Sequence, residues 1–262
     1  MKRAKAEHSG EKMKLFFLGT NGWFSTRTGN TVCAAIQAKD RLIVLDAGDG
    51  FSKLPALMSR LHLKRADIFL SHVHIDHAAG LHTLPLMPRG MRVRIFVHKS
   101  YLPALKLLLS HPYTASAVEQ WAKVTLHPFS TGENRLPYAM RALSLDHADP
   151  CFGFRFSLEG KEIAYCTDTG PCKNFGRLAA GADLLITECT LPPGAKTMPA
   201  WPHLSPDAAA REAAAAGAAR LILTHFDAKQ PNGAAVRRAA QSAARKIFPR
   251  TTAAKDGMEL EI

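Results

Sequence analysis

The chain has 262 residues, 47% apolar and 21% charged, a globular mixture that excludes a disordered or fibrous protein. Its 34 basic and 22 acidic side chains leave a formal charge of +12, which favours polyanionic partners such as nucleic acid or phosphate esters, although a solvated basic helix face would give the same balance. No apolar run approaches the ~20 residues of a membrane helix, so no membrane partner and a cytoplasmic location are expected, with residues 1–12 a flexible tail that lacks a signal-peptide core and 13–262 a single domain.

Short strand-like runs alternate with helical ones. Strands are expected over 14–19, 32–38 and 42–46, then a helix over 51–61 and a strand over 67–71. A strand over 92–98 and a helix over 103–110 follow, then strands over 124–128, 138–145, 152–158 and 162–166. The last two are joined by a hairpin turn at Leu158-Glu159-Gly160-Lys161. A helix over 174–179, a strand over 183–187, a helix over 206–217, a strand over 220–225, a helix over 234–248 and a strand over 258–262 complete the chain. Branched and aromatic side chains between Gly and Asp boundaries carry the strand assignments. The helix at 206 has the best-marked ends, with Ser205 as N-cap, Pro206 in the first turn and Gly217 at the end. This interleaving implies sheets covered by helices on their outer faces. The basic excess is densest from Arg211 to Arg250. The five cysteines form no C-x-x-C pair; reduced thiols are expected rather than disulfides or a zinc knuckle.

The chemistry lies in Ser71-His72-Val73-His74-Ile75-Asp76-His77, directly after the apolar run Ile68-Phe69-Leu70. Three imidazoles and a carboxylate at a strand end form a metal cradle. In an extended segment His72 and His74 point the same way. If the chain then turns into a helix, Asp76 and His77 swing toward a second point. Imidazole with carboxylate suits Zn, Fe or Mn rather than Ca or Mg.

This H-x-H-x-D-H run resembles the metallo-β-lactamase superfamily. The other elements follow in order: Leu42-Ile43-Val44-Leu45-Asp46, Leu145-Asp146-His147, Cys166-Thr167-Asp168 and Leu223-Thr224-His225. The resemblance implies a four-layer αββα sandwich of the α/β class and two divalent metal ions, with zinc expected. It also implies that His72, His74 and His147 hold one ion, that Asp76, His77 and His225 hold the other, that Asp168 bridges them, and that Asp46 supports the ligands from behind. Within the superfamily, Leu18-Gly19-Thr20-Asn21-Gly22, Asp146-His147-Ala148-Asp149-Pro150, Thr187-Glu188-Cys189-Thr190 and His203-Leu204-Ser205 are similar to the ribonuclease Z branch, with Thr187 where that branch has a His. By that resemblance Glu188 and His203 form a pair near the leaving group.

Two departures matter. The branch's flexible tRNA-gripping arm has no counterpart between His98 and Pro128, where only a compact helical stretch with Trp121 is found. The loop 25–30 matches the branch's substrate loop loosely. Both features bring the chain closer to small phosphodiesterases of the same branch that lack the arm. The expected function is therefore a phosphodiesterase or nuclease that uses metal-activated hydroxide on a nucleotide or RNA substrate, with Asp76 accepting the water's proton. Alternatives are a lactonase or thioesterase-like hydrolase, and a nucleic-acid-binding module with a structural metal. A homodimer is a further expectation. The remaining histidines, His8, His62, His82, His98, His111 and His127, are expected to be surface or packing residues, with His98 alone near the site.

Overall fold

Along Leu15-Phe16-Phe17-Leu18 alternate side chains enter two different hydrophobic cores, as the two-residue period of a strand requires when both of its faces are covered. The structure, a computed structural model, describes residues 13–88, 90–115, 123–230 and 233–262. The expected tail at 1–12 and Trp121 lie outside those residues.

One sheet is built from β1 (Lys14–Gly19), β3 (Cys33–Ala38), β4 (Arg41–Leu45), β5 (Arg65–Phe69), β6 (Arg92–His98), β7 (Val124–Phe129) and β15 (Glu259–Glu261), in the order β15-β1-β3-β4-β5-β6-β7. It is antiparallel as far as β4 and parallel from β4 to β7. The second sheet runs β14-β13-β12-β11-β10-β9-β8. Its strands are β8 (Gly132–Arg135), β9 (Ala139–Ser144), β10 (Phe152–Leu158), β11 (Lys161–Cys166), β12 (Leu184–Cys189), β13 (Leu221–Asp227) and β14 (Thr251–Ala253). The short β2 (Asn21–Gly22) pairs with β13 and so carries the chain from the first sheet to the second.

Three buried clusters account for the layers. The first packs helix α1 (Leu54–Arg60) and helix α3 (Leu102–Leu108) on the outer face of the first sheet. The second fills the space between the sheets. The third packs α4 (Lys173–Ala179), α5 (Pro206–Ala215) and α6 (Gly233–Arg245) on the second sheet. The layers are therefore αββα, as expected. In α5 the Ser205 hydroxyl accepts the Ala208 N–H, which is the anticipated cap.

Between the sheets Phe69 stacks on Phe96 with centroids 4.6 Å apart and meets the Phe154 and Phe156 rings edge-on at 5.6 and 4.9 Å. Phe69 ends β5 one residue before the loop that carries His72. Phe69→Ala should lower unfolding free energy by about 3–5 kcal/mol, read as a lower urea midpoint at unchanged slope. An unchanged midpoint would contradict this packing.

Every expected strand is present, with ends shifted by a few residues. Three more, β2, β8 and β14, are too short or too polar to show a period. The expected helix at 51–61 begins as a tight 3-10 turn, Asp49–Lys53, before α1. Part of the basic excess has a structural use. Arg237 is buried, and its guanidinium donates to Ala254 O, Gly233 O, Thr20 Oγ1 and Asn21 Oδ1. The cysteines are all free. Among the described residues no helix is long and apolar enough to cross a membrane.

Candidate metal centre

β4, β5, β9, β11, β12 and β13 end on one side of the sandwich, and the site stands at those ends. This is the usual place for ligands in sheets with parallel strands. After β5 the chain runs extended through His72 and His74, then enters α2 (Ile75–Ala78), a single helical turn that redirects Asp76 and His77.

The seven expected ligands converge. Donor atoms of His72, His74, His147 and Asp168 lie within 4.8 Å of one another, as do those of Asp76, His77 and His225. Asp168 reaches both groups, with Oδ2 3.7 Å from His72 Nε2 and 3.2 Å from His77 Nε2, and Oδ1 3.1 Å from His225 Nε2. Asp76 Oδ2 is 3.4 Å from His225 Nε2 and 3.6 Å from His77 Nε2. Asp46, Asp168 and His225 adopt left-handed φ of 57°, 48° and 51°. Such backbone costs about 1–3 kcal/mol per residue and tends to mark functional positions.

Asp46 lies beneath the cluster, fully buried. Oδ1 accepts the Ser71 N–H at 2.7 Å; Oδ2 lies 2.9 Å from both Ser71 Oγ and His77 Nδ1, and accepts the Tyr165 hydroxyl at 2.7 Å. As an ionised carboxylate only accepts, His77 Nδ1 carries the proton and Nε2 is left facing the cluster. Glycines let the backbones close around it. A Cβ on Gly22 would fall 2.4 Å from the His225 ring, and one on Gly48 2.2 Å from Asp76 O.

The electrostatics fit a cation. Burial holds the His72 pKa well below its usual value, with His77 adding to the effect. Burial also lowers that of His147. At His77 burial opposes the charge, but Asp168, Asp76 and Asp46 outweigh it and raise the pKa. Asp76 is lowered because His77 and His225 overcome its burial; Asp168 is lowered in the same way by His225 and His77. The His72 Nε2 is buried with no hydrogen-bond partner, a costly state unless something accepts its lone pair. Clustered imidazole and carboxylate donors with an orphaned ring nitrogen match what a divalent transition ion needs.

Beside this cluster stands the expected Glu188–His203 pair. Glu188 is fully buried at the end of β12. Oε1 accepts His203 Nδ1–H at 2.7 Å and the Thr169 N–H at 2.7 Å, and Oε2 accepts the Thr190 N–H at 3.2 Å. The proton on Nδ1 leaves Nε2 free for a substrate. Burial would lower the His203 pKa, but Glu188 dominates and raises it. His203, His74, Asp76, His147, Asp168 and His225 line one cleft of about 330 Å³. A larger cavity, about 470 Å³, lies at the opposite ends of β4 to β7 among Arg41, Arg65, Arg92 and Arg94; its donors do not suit a metal.

Sequence reasoning missed several supports. Asp149 Oδ2 is 2.9 Å from His74 Nε2, and its carbonyl lies 3.1 Å from His147 Nδ1. Thr190 Oγ1 is 3.2 Å from His225 Nδ1. The carboxylate two residues after His147 was the available signal for Asp149; Tyr165, within an apolar strand, gave none. His98 stacks on Phe152 at 4.1 Å and does not line the cleft.

Fold and cluster together define a metal-dependent hydrolase scaffold, and the chain belongs to the beta-lactamase superfamily: the profile of the beta-lactamase superfamily domain matches residues 41–226. Among curated relatives, the Ribonuclease Z of Methanothermobacter thermautotrophicus is 26% identical, over 95% of this chain and 97% of that one. That alignment runs over 302 positions, 40 more than this chain has residues. Two solved structures share the fold. The metallo-beta-lactamase fold protein YhfI from Bacillus subtilis matches with TM-score 0.79 at 22% identity, over 96% of this chain and 100% of that one. The short form of human tRNase Z matches with TM-score 0.68 at 22% identity, over 95% and 99%.

Proposed function

We propose that this chain, one domain over 13–262, is a metal-dependent phosphodiesterase of the nuclease type. The observation that carries this reading is the convergence of seven imidazole and carboxylate donors, with Asp168 reaching both groups, beside a buried Glu188–His203 pair; five of the donors (His74, Asp76, His147, Asp168, His225) and His203 line one cleft. The likeness to Ribonuclease Z over nearly the whole chain supports it. With 95% of the 262 residues aligned over 302 positions, about 53 positions have no residue here (302 − 249), which favours a small nucleotide diester or short RNA over a folded tRNA.

His72, His74, His147 and Asp168 would hold one divalent ion, and Asp76, His77 and His225, with Asp168 shared, the other. Such a pair lowers the pKa of water and offsets charge on phosphoryl oxygens. Asp46 fixes the His77 tautomer and ring orientation. The Trp23 N–H, 2.7 Å from Asp76 Oδ2, fixes that carboxylate. Asp76 orients the attacking water and takes its proton. His203, whose pKa Glu188 raises against the effect of burial, gives a proton from Nε2 to the leaving oxygen. Zinc as the metal, a cytoplasmic setting and a homodimer complete the proposal.

A substrate panel on zinc-reconstituted protein tests it, using bis(p-nitrophenyl) phosphate, cyclic nucleotides, tRNA precursors, a lactone and a thioester. Diester hydrolysis without lactone or thioester turnover is expected. Turnover confined to the lactone or thioester would overturn the reading, as would metal-independent nucleic-acid binding with no hydrolysis.

A further inference from the structure

The cleft has a rim that phosphate chemistry does not need. Trp23 is 60% exposed and Trp201 42%, and both line the cleft that contains Asp76 and His203. Large indoles are normally mostly covered, and apolar surface left in water at the edge of a site usually meets a ligand. The two come from distant segments, Trp23 following β2 and Trp201 from the connection between β12 and α5.

Trp23 is held there at a cost. Its φ is 68°, a left-handed conformation that a bulky residue seldom adopts. Its N–H is fixed on Asp76 Oδ2, and two residues earlier Asn21 Oδ1 accepts from the buried Arg237 at 2.7 Å. The Lys229 ammonium lies 3.9 Å from the centre of the Trp23 ring. Its backbone N–H donates to Asp227 Oδ1 at 2.9 Å, but no ion pair holds the ammonium among the described residues, so beside the indole it can also meet an anion. Trp201 meets the His203 ring edge-on, centroids 4.6 Å apart, which puts a flat surface beside the proton donor.

We propose that Trp23 and Trp201 form a base-stacking rim, with Lys229 as a phosphate contact, that selects single-stranded nucleotide substrates for the cleft. This rests on the phosphodiesterase reading, because it takes the cleft's ligand to be a phosphate ester. Stacking on an indole accepts any base, since every base has a π-face. The rim therefore selects for the presence of bases without reading their order. A net charge of +12 suits the same ligand.

The test is equilibrium binding to zinc-loaded protein by calorimetry, with adenosine 5′-monophosphate and ribose 5-phosphate as probes. They share the phosphate and differ in the base. Wild type should bind the nucleotide more tightly. Trp23→Ala combined with Trp201→Ala should weaken nucleotide binding by about 5–150-fold, the range of one stacked base, and so abolish the preference. The corresponding Phe substitutions should restore it. Lys229→Gln should weaken both probes to a similar extent and leave the preference for the base intact. Equal wild-type affinity for the two probes overturns the proposal, as does a preference that survives the paired Ala substitutions. A paired Ala variant that keeps the preference but turns a dimer into a monomer on sedimentation overturns it too, by showing the rim to be a surface between copies. If the phosphodiesterase reading alone is wrong, the base preference persists while no diester is cleaved.

Discussion

His72→Ala is expected to lose bound metal and turnover together, for every substrate. Wild-type protein purified without chelator should approach two divalent ions per chain by elemental analysis, since its donors form two groups that share Asp168. His72 is wholly buried, and its Nε2 has no hydrogen-bond partner among the described residues. Ser71 Oγ, 3.0 Å from Nδ1, fixes the ring. Alanine removes this donor. A metal ion contributes several kcal/mol to such a reaction, so a loss of roughly 10³-fold or more follows from about 4 kcal/mol. Wild type saturating at one ion would overturn the two-ion arrangement. A variant that keeps both ions would remove His72 from the ligand set.

His203→Ala should behave differently, with metal content near wild type and turnover lower by about 10²–10⁴-fold. The loss should be smaller for a p-nitrophenolate leaving group, which needs little protonation, and larger for an alkoxide. The pH profile tests the same role. Glu188 raises the His203 pKa above 6.5, so the acid form persists up to that raised value and the rate falls as pH climbs through it. Glu188→Gln removes the raising charge and should move the alkaline limb to lower pH. Metal loss on His203→Ala would make His203 a ligand. Full activity on alkoxide substrates would leave it a packing residue ahead of α5.

The donor cluster was legible because its members are chemically unusual at strand ends. His72, His74, Asp76 and His77 fall within one short run, and the resemblance supplied the order of His147, Asp168 and His225. The layers were legible because strands covered on both faces, such as Leu42-Ile43-Val44-Leu45, read as continuous apolar runs. What stayed hidden depends on tertiary approach. Arg237 counts as one more surface cation in a basic stretch, yet it is buried against Thr20 and Asn21, more than 200 positions earlier in the chain. Tyr165 reads as a core aromatic until its hydroxyl meets Asp46 from the facing sheet. Trp23 and Trp201 look like ordinary hydrophobic residues, because exposure is not written in a residue's identity.

The contact between His77 and His225, 148 positions apart at 3.1 Å, bears on how the molecule is made. No local segment holds more than part of the cluster. His147 comes from the middle of the chain, Asp168 follows, and His225 lies in β13, which Arg237 and β14 then secure. Loop-closure entropy has to be met before contacts of this span form, so such contacts come late in folding. During synthesis the chain would display its first histidines long before the partners that complete the site. A nascent or truncated polypeptide therefore lacks the assembled centre, and hydrolytic competence would arise only after both sheets have closed on each other.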